Sequence, residues 1–150
     1  MLFRSALALP VFAQARDVTF TTELQNYGGD GAYLALYLTD AAGEYQGTLW
    51  VSGKKSKYYK HLGGWARGSG LDPAEYDGLT GASVTSGRTL KVTVNLDDSL
   101  IDNGYEVRVD SAVEDMRDIR ADVIAPLTTE GSGKPVSGRG YVRALTYELQ

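Results

Sequence analysis

The sequence predicts an all-β domain: an immunoglobulin-like, two-sheet β-sandwich of about seven strands, broken by one long irregular insert. Three observations predict it. Apolar and polar residues alternate in short runs over most of the chain, the period of a strand with one face in a core. Turn residues (Gly, Asn and Asp) separate those runs at regular spacing, and helical periodicity is nearly absent. The composition also agrees, because 18 Gly and 10 Tyr in 150 residues favour turns and strands over helices. A chain of this length suits a single hydrophobic core. A closed barrel is the competing architecture.

Residues 1–15 read as a signal peptide. Arg4 gives a positive start, Ser5 to Phe12 is a short apolar run, and Ala13-Gln14-Ala15 has the small-x-small form of a cleavage site. The run is too short to span a bilayer. The expected mature domain is therefore 16–150, exported to a bacterial periplasm and not membrane-spanning once the signal is removed. Its first strand is Asp17 to Leu24, with Val18, Phe20, Thr22 and Leu24 on one face. The turn "NYGGDG" leads to a strand over Ala32 to Thr39, with Leu34, Leu36 and Leu38 on one side and Tyr33 and Tyr37 on the other. Tyr45 to Val51 is the expected hairpin partner, with Leu49 and Val51 inward. Alternation returns at Leu90, Val92, Val94 and Leu96. Past the "DNG" turn at 102–104 it continues through Tyr105, Val107 and Val109, and then through Ile119, Ala121 and Val123. A flexible loop over 128–140 precedes the last strand, Tyr141 to Leu149.

The insert, roughly residues 53–87, is too long to be a bland connection. Its first half is basic and aromatic, carrying Lys54, Lys55, Lys57, Lys60, His61 and Arg67 among Tyr58, Tyr59 and Trp65. Lys57 to Leu62 is expected to form a short helix that Gly63-Gly64 ends. Its second half, "EYDGLTGASVTSG", is small, polar and turn-forming.

Several chemistries are excluded. With no Cys there is no disulfide framework, thiolate nucleophile or zinc-thiolate site, and one His rules out most His-based metal sites. A net charge of −4 argues against nucleic acid, whose partners carry a basic face. "GSGKP" at 131–135 lacks the upstream Gly and the Ser or Thr after Lys that a phosphate loop needs. "DDSLIDNG" lacks calcium-loop spacing, and "EDMRDIRAD" reads as a solvated hairpin. Asp72, Glu75 and Asp77 would be the carboxylates of a hydrolase, but nothing pairs them.

Asp77-Gly78-Leu79-Thr80-Gly81-Ala82-Ser83 fits the pattern Asp-x-x-Ser/Thr-Gly-Ala-Thr/Ser. It resembles the acceptor motif of bacterial flavin transferases, which move FMN from FAD onto a hydroxyl through a phosphoester bond. The resemblance implies that Ser83 carries the flavin, standing where Thr is the more usual acceptor. The residue types suit that chemistry. A hydroxyl needs close approach by its activator, Gly81 and Ala82 leave little in the way, and Asp77 can orient the segment or meet the transferase's metal. The bland alternative is an Asx turn at Asp77, with Thr80 and Ser83 satisfying local backbone groups.

The stretches Ala32–Asp40 followed by Gly43, Gly47-Thr48-Leu49-Trp50, and Lys57 through Trp65 ahead of the Thr-Gly-Ala-Ser loop also resemble a family of predicted periplasmic domains of unknown function. Members are associated with PepSY-type membrane reductases and flavin transferases, and those are the partners the resemblance implies. The family's usual Trp-Asp-Gly after the late strand is replaced by Asn95-Leu96-Asp97. A flavin would find rings to stack on in Tyr58, Tyr59 or Trp65, with His61 among them, and cations for its phosphate in the neighbouring lysines. The expected function is a periplasmic electron carrier with covalent FMN on Ser83, a redox carrier rather than a catalyst. The alternative is a cofactor-free accessory module that binds a ligand or a protein through the insert.

Overall fold

The computed structural model describes residues 14–150, so the signal-peptide reading of 1–15 lies almost entirely outside the described residues. It is a two-sheet sandwich. The strands are β1 (Ala15–Leu24), β2 (Tyr33–Thr39), β3 (Tyr45–Ser52), β4 (Thr80–Gly81), β5 (Thr89–Asp97), β6 (Glu106–Ala112), β7 (Asp118–Pro126), β8 (Val136–Ser137) and β9 (Val142–Leu149). One sheet has the order β5-β1-β9-β8 and the other β4-β3-β2-β6-β7. All pairings are antiparallel except the short β3–β4 contact. Nine strands replace the seven expected. The two extra ones, β4 and β8, are two-residue pieces too short to leave a periodic signal.

Alternation builds the core as the sequence predicts. Val18 and Phe20 from β1, Leu34 and Leu36 from β2, Val107 and Val109 from β6, and Leu145 and Tyr147 from β9 fill the space between the sheets. Fully burying each such side chain contributes about 1.5–3 kcal/mol.

β2 is buried on both faces. Its other side, with Ala35 and Tyr37, joins a second cluster made of Val51, Tyr59, Leu62, Trp65 and Ala112. That outer face of the five-stranded sheet is covered by the insert, which folds into a 3-10 helix (Ser56–His61), helix α1 (Gly63–Ser69) and a 3-10 turn (Pro73–Glu75). Edge-to-face rings bind the cover together. Tyr59 meets Trp65 at 5.6 Å and Tyr76 at 5.2 Å, and Trp65 meets Tyr76 at 5.7 Å, each pair adding about 0.5–1.5 kcal/mol beyond burial.

Two local expectations are corrected here. Val51 does not share the inward face with Leu49. A bulge between Leu36 and Tyr37 in the β2–β3 ladder adds a residue to β3 and resets the alternation, so Leu49 enters the main core and Val51 the outer cluster. The short helix expected over Lys57 to Leu62 is the 3-10 helix Ser56–His61, but Gly63-Gly64 after it opens a second helix that was not expected. A Cβ at Gly64 would sit 2.5 Å from the Tyr37 hydroxyl and 3.0 Å from Asp110 Oδ2, and one at Gly68 would sit 2.4 Å from Tyr45 Cβ. These glycines let the helix lie against the sheet, a tertiary demand that outweighs their local helix-breaking tendency.

Two buried carboxylates, Asp110 on β6 and Asp122 on β7, tie separate segments to the five-stranded sheet, the first of them the insert. Asp110 accepts hydrogen bonds from the Tyr37 hydroxyl (2.9 Å), the Trp65 backbone N–H (2.7 Å) and the Ala121 N–H (2.8 Å). Asp122 accepts from the Ser111 hydroxyl and from the backbone N–H groups of Arg139, Gly140 and Val142. The second set ties the loop before β9 to β7, so that loop is anchored at its C-terminal end. Ala121 has φ +51, a left-handed conformation costing about 1–3 kcal/mol for a residue with a side chain. It stands where the β6–β7 register shifts between Val109 and Ser111.

Candidate functional site

The motif segment is held at both ends. On one side, Val51 and Gly53 donate their N–H groups to the carbonyls of Leu79 and Gly81, at 2.9 and 2.7 Å. On the other, Ala32 and Val84 exchange a pair of backbone bonds at 2.7 and 3.0 Å. Between these anchors Ala82 and Ser83 are exposed. Gly81 is required by packing, since a Cβ there would sit 2.6 Å from the Trp50 ring. Gly31 faces Ser83 so closely that a Cβ on it would lie 2.8 Å from Ser83 Oγ.

Ser83 opens onto a cleft of about 500 Å³ lined also by Tyr33, Lys55, Tyr58, His61 and Met116. Acidic side chains of Asp30, Glu114, Asp115 and Asp118 share its walls. His61 Nδ1 lies 2.9 Å from Asp118 Oδ2, and both side chains are about half exposed, so the pair contributes little to stability. Lys57 Nζ stands 5.2 Å from the centre of the Tyr58 ring, and Tyr58 packs edge-on against Tyr33 at 5.9 Å.

Of the sequence-derived site residues, the cleft collects Ser83, Tyr58 and His61. Thr80 and Asp77 are exposed and do not line it, and no hydrogen bond of either side chain occurs among the described residues. The Asx turn expected as the bland alternative at Asp77 is found instead at Asp72, whose Oδ1 caps the Ala74 N–H at 3.0 Å. Tyr59 and Trp65 are corrections. They are 3% and 0% exposed, their rings enclosed by the cluster under the insert, so neither presents a face to a ligand. Burial, with Tyr76 and Tyr33 alongside, raises the Tyr59 phenol, and its hydroxyl donates to the Gly53 carbonyl at 2.7 Å. Of the three acidic residues considered for hydrolysis, Glu75 accepts the Tyr45 hydroxyl at 2.6 Å and Asp72 caps a turn.

Sequence reasoning missed the contribution of the β6–β7 turn. Met116, 42% exposed, is the exposed apolar residue of that charged turn, whereas Val113 is buried. Gly29 makes room for it, because a Cβ there would sit 2.7 Å from its sulfur. A lone Met among "EDMRD" was the available signal.

The whole defines a β-sandwich domain whose sheet is capped by an insert and whose cleft is edged by an exposed serine hydroxyl with no hydrogen bond among the described residues. The chain belongs to the family described as "Predicted periplasmic protein (DUF2271)", whose model matches residues 15–144. It is accordingly a periplasmic protein, and among the described residues no helix is long and apolar enough to cross a membrane. Comparisons with curated proteins and with solved structures returned no match.

Proposed function

We propose that the protein is a periplasmic electron carrier whose FMN is esterified to Ser83 by a flavin transferase and reduced by a PepSY-type membrane reductase. The observation that carries this reading is the Ser83 hydroxyl. It is exposed and makes no hydrogen bond among the described residues, is borne on a segment anchored at both ends, and opens to a cleft whose walls are aromatic and sulfur-bearing, with Lys55 set among four carboxylates. A transferase needs such a hydroxyl within reach, and a covalently tethered ligand keeps a high local concentration beside the protein.

The loading step balances. Ser83 Oγ attacks the FMN phosphorus of FAD, the new bond is Oγ–P, the pyrophosphate P–O bond breaks, and AMP leaves. The hydroxyl proton passes to the base supplied by the transferase. The residues present fit the group. The cleft's 500 Å³ falls in the roughly 300–1,000 Å³ range of small-molecule sites. Lys55 would neutralise a phosphoester, and Tyr58 and Met116 would contact a flat ring, all three lining the cleft. Bound there, FMN supplies reversible electron transfer, while the protein sets its position and surroundings.

The test is intact mass and visible absorbance after co-expression with a flavin transferase. The expected result is an added FMN mass that is lost in Ser83→Ala and retained in Thr80→Ala. A colourless, unmodified wild-type chain under those conditions overturns the reading and favours a cofactor-free accessory module.

A further inference from the structure

The outer face of the five-stranded sheet carries a second cleft, also of about 500 Å³. Its lining includes Arg67 from α1, Arg108 from β6 and Arg120 from β7, with Tyr37, Tyr45 and Glu44. Three guanidinium groups in one cleft stand out in a chain of net charge −4.

The acidic neighbours do not use them up. Glu106 takes one amino group of Arg108 at 2.9 Å, and the buried Arg108 Nε has no hydrogen-bond partner among the described residues. Asp110, beneath the cleft, is occupied by the Tyr37, Trp65 and Ala121 donors. Arg67 and Arg120 make no ion pair among the described residues, and Glu44 is the single carboxylate in the lining.

The cleft is also built. Gly43, Gly64 and Gly68 line it. A Cβ at Gly43, whose φ is +83, would press to 3.2 Å from the Arg108 guanidinium. The strained Ala121 is in its wall, and the bulge there is tied down by Arg139, which donates from Nε to the Ala121 carbonyl at 3.1 Å and from its amino group to the Arg120 carbonyl at 2.6 Å. Bulges of this kind re-aim a side chain next to functional sites. The chain at Arg120 is thereby fixed across the start of α1, where a Cβ on Gly63 would meet the guanidinium at 3.0 Å.

We propose that this second cleft binds a small oxyanion-bearing molecule, a compound presenting a carboxylate or phosphate group to Arg67, Arg108 and Arg120. Forked guanidinium donors recognise both groups bidentately. The half-buried Tyr45 ring gives the body of such a ligand an apolar wall. The site is separate from the Ser83 cleft and stands whether or not Ser83 is modified.

Two probes distinguish the anion classes: inorganic phosphate and citrate, each titrated at constant ionic strength and followed by backbone amide shifts. The expected result is one saturable site for at least one probe, with the largest shifts around Gly64, Gly68 and Arg120. Arg67→Gln and Arg120→Gln should each weaken it by roughly tenfold or more. Lys91→Gln, an exposed charge change on β5 of the other sheet, should leave it unchanged. The probe that saturates at lower concentration identifies the group. The proposal is overturned if neither probe saturates below about 10 mM. It is equally overturned if both arginine variants bind like wild type, or if the shifts centre on Lys55 and His61.

Discussion

Replacing Asp110 by Asn tests whether one carboxylate holds the insert to the sheet. The carboxylate has no solvent exposure and accepts three donors. An amide has one oxygen. If that oxygen faces Tyr37 and Ala121, its NH2 group opposes the Trp65 N–H across 2.7 Å. If the amide flips, the Tyr37 hydroxyl can turn to accept, but the Ala121 N–H loses its acceptor. Either way a buried backbone donor is orphaned, at about 1–3 kcal/mol, and the charge-assisted component of the remaining bonds is lost as well. The expected loss is about 2–4 kcal/mol, a substantial part of a typical stability of about 5–15 kcal/mol. At about 2–4 °C per kcal/mol for a domain of this size, the melting temperature should fall by about 4–16 °C. Urea denaturation of wild type and Asp110→Asn, followed by tryptophan fluorescence, measures it. Trp65 donates its backbone N–H to the substituted group, so its emission should shift before global unfolding. A loss below about 0.5 kcal/mol with unchanged emission would refute the view that Asp110 locks α1 down.

Three further outcomes follow from the same geometry. Gly64→Ala should destabilise by about 1–3 kcal/mol in the same assay, because its Cβ would meet the Tyr37 hydroxyl, itself fixed by Asp110. Burial first, and then the hydrogen bond to Glu75, pushes the Tyr45 phenol up to about 12. The stability it contributes is therefore complete below its unfolded value near pH 10 and lost as pH rises from about 10 to about 12; Tyr45→Phe should flatten that alkaline limb in a pH series of denaturation curves. Gly31→Ala should slow flavin loading by roughly tenfold or more while the circular dichroism stays unchanged, because the new methyl displaces the Ser83 hydroxyl it faces; loading at the wild-type rate, read by intact mass, would contradict the placement of that hydroxyl.

Alternation carried most of the sandwich, since leucines and tyrosines on opposite sides of β2 already implied two apolar surfaces. It failed where one residue changes the phase. The bulge that sends Val51 outward leaves no mark in β3 itself, because it is set by pairing with β2. Gly63-Gly64 misled for a related reason. Local rules treat the pair as a stop, whereas close approach to Tyr37 and Tyr45 makes glycine the residue that fits at 64 and 68. Of the residues singled out in the sequence, Ser83 from the motif and Tyr58 and His61 from the insert line one cleft. Adjacent tyrosines are indistinguishable in sequence, and only the 3-10 geometry separates Tyr58 at the cleft from Tyr59 in the cluster. The arginine cleft was invisible, because its three cations come from α1, β6 and β7 with no local pattern linking them.

The two clefts share one physical origin. Tyr33 and Tyr37 on β2, Arg108 and Ala112 on β6, and Asp118 and Arg120 on β7 face the same outer surface. The first cleft uses Tyr33, Ala112 and Asp118, and the second uses Tyr37, Arg108 and Arg120. Tyr59, Leu62 and Trp65 fill the space between these two sets and divide the surface. A flat sheet face would offer neither cleft. An apolar cover narrower than the sheet leaves a recess at each end, walled by whatever polar residues the strands bear there. Cohesion of the cover therefore bears on both sites at once. Its edge-to-face rings and the bond from the Trp65 N–H to Asp110 place His61 and Tyr58 at one end, and Gly64 and Arg67 at the other. A change that loosens α1 should therefore perturb both clefts, while a substitution at Ser83 or Arg67, both exposed, perturbs one.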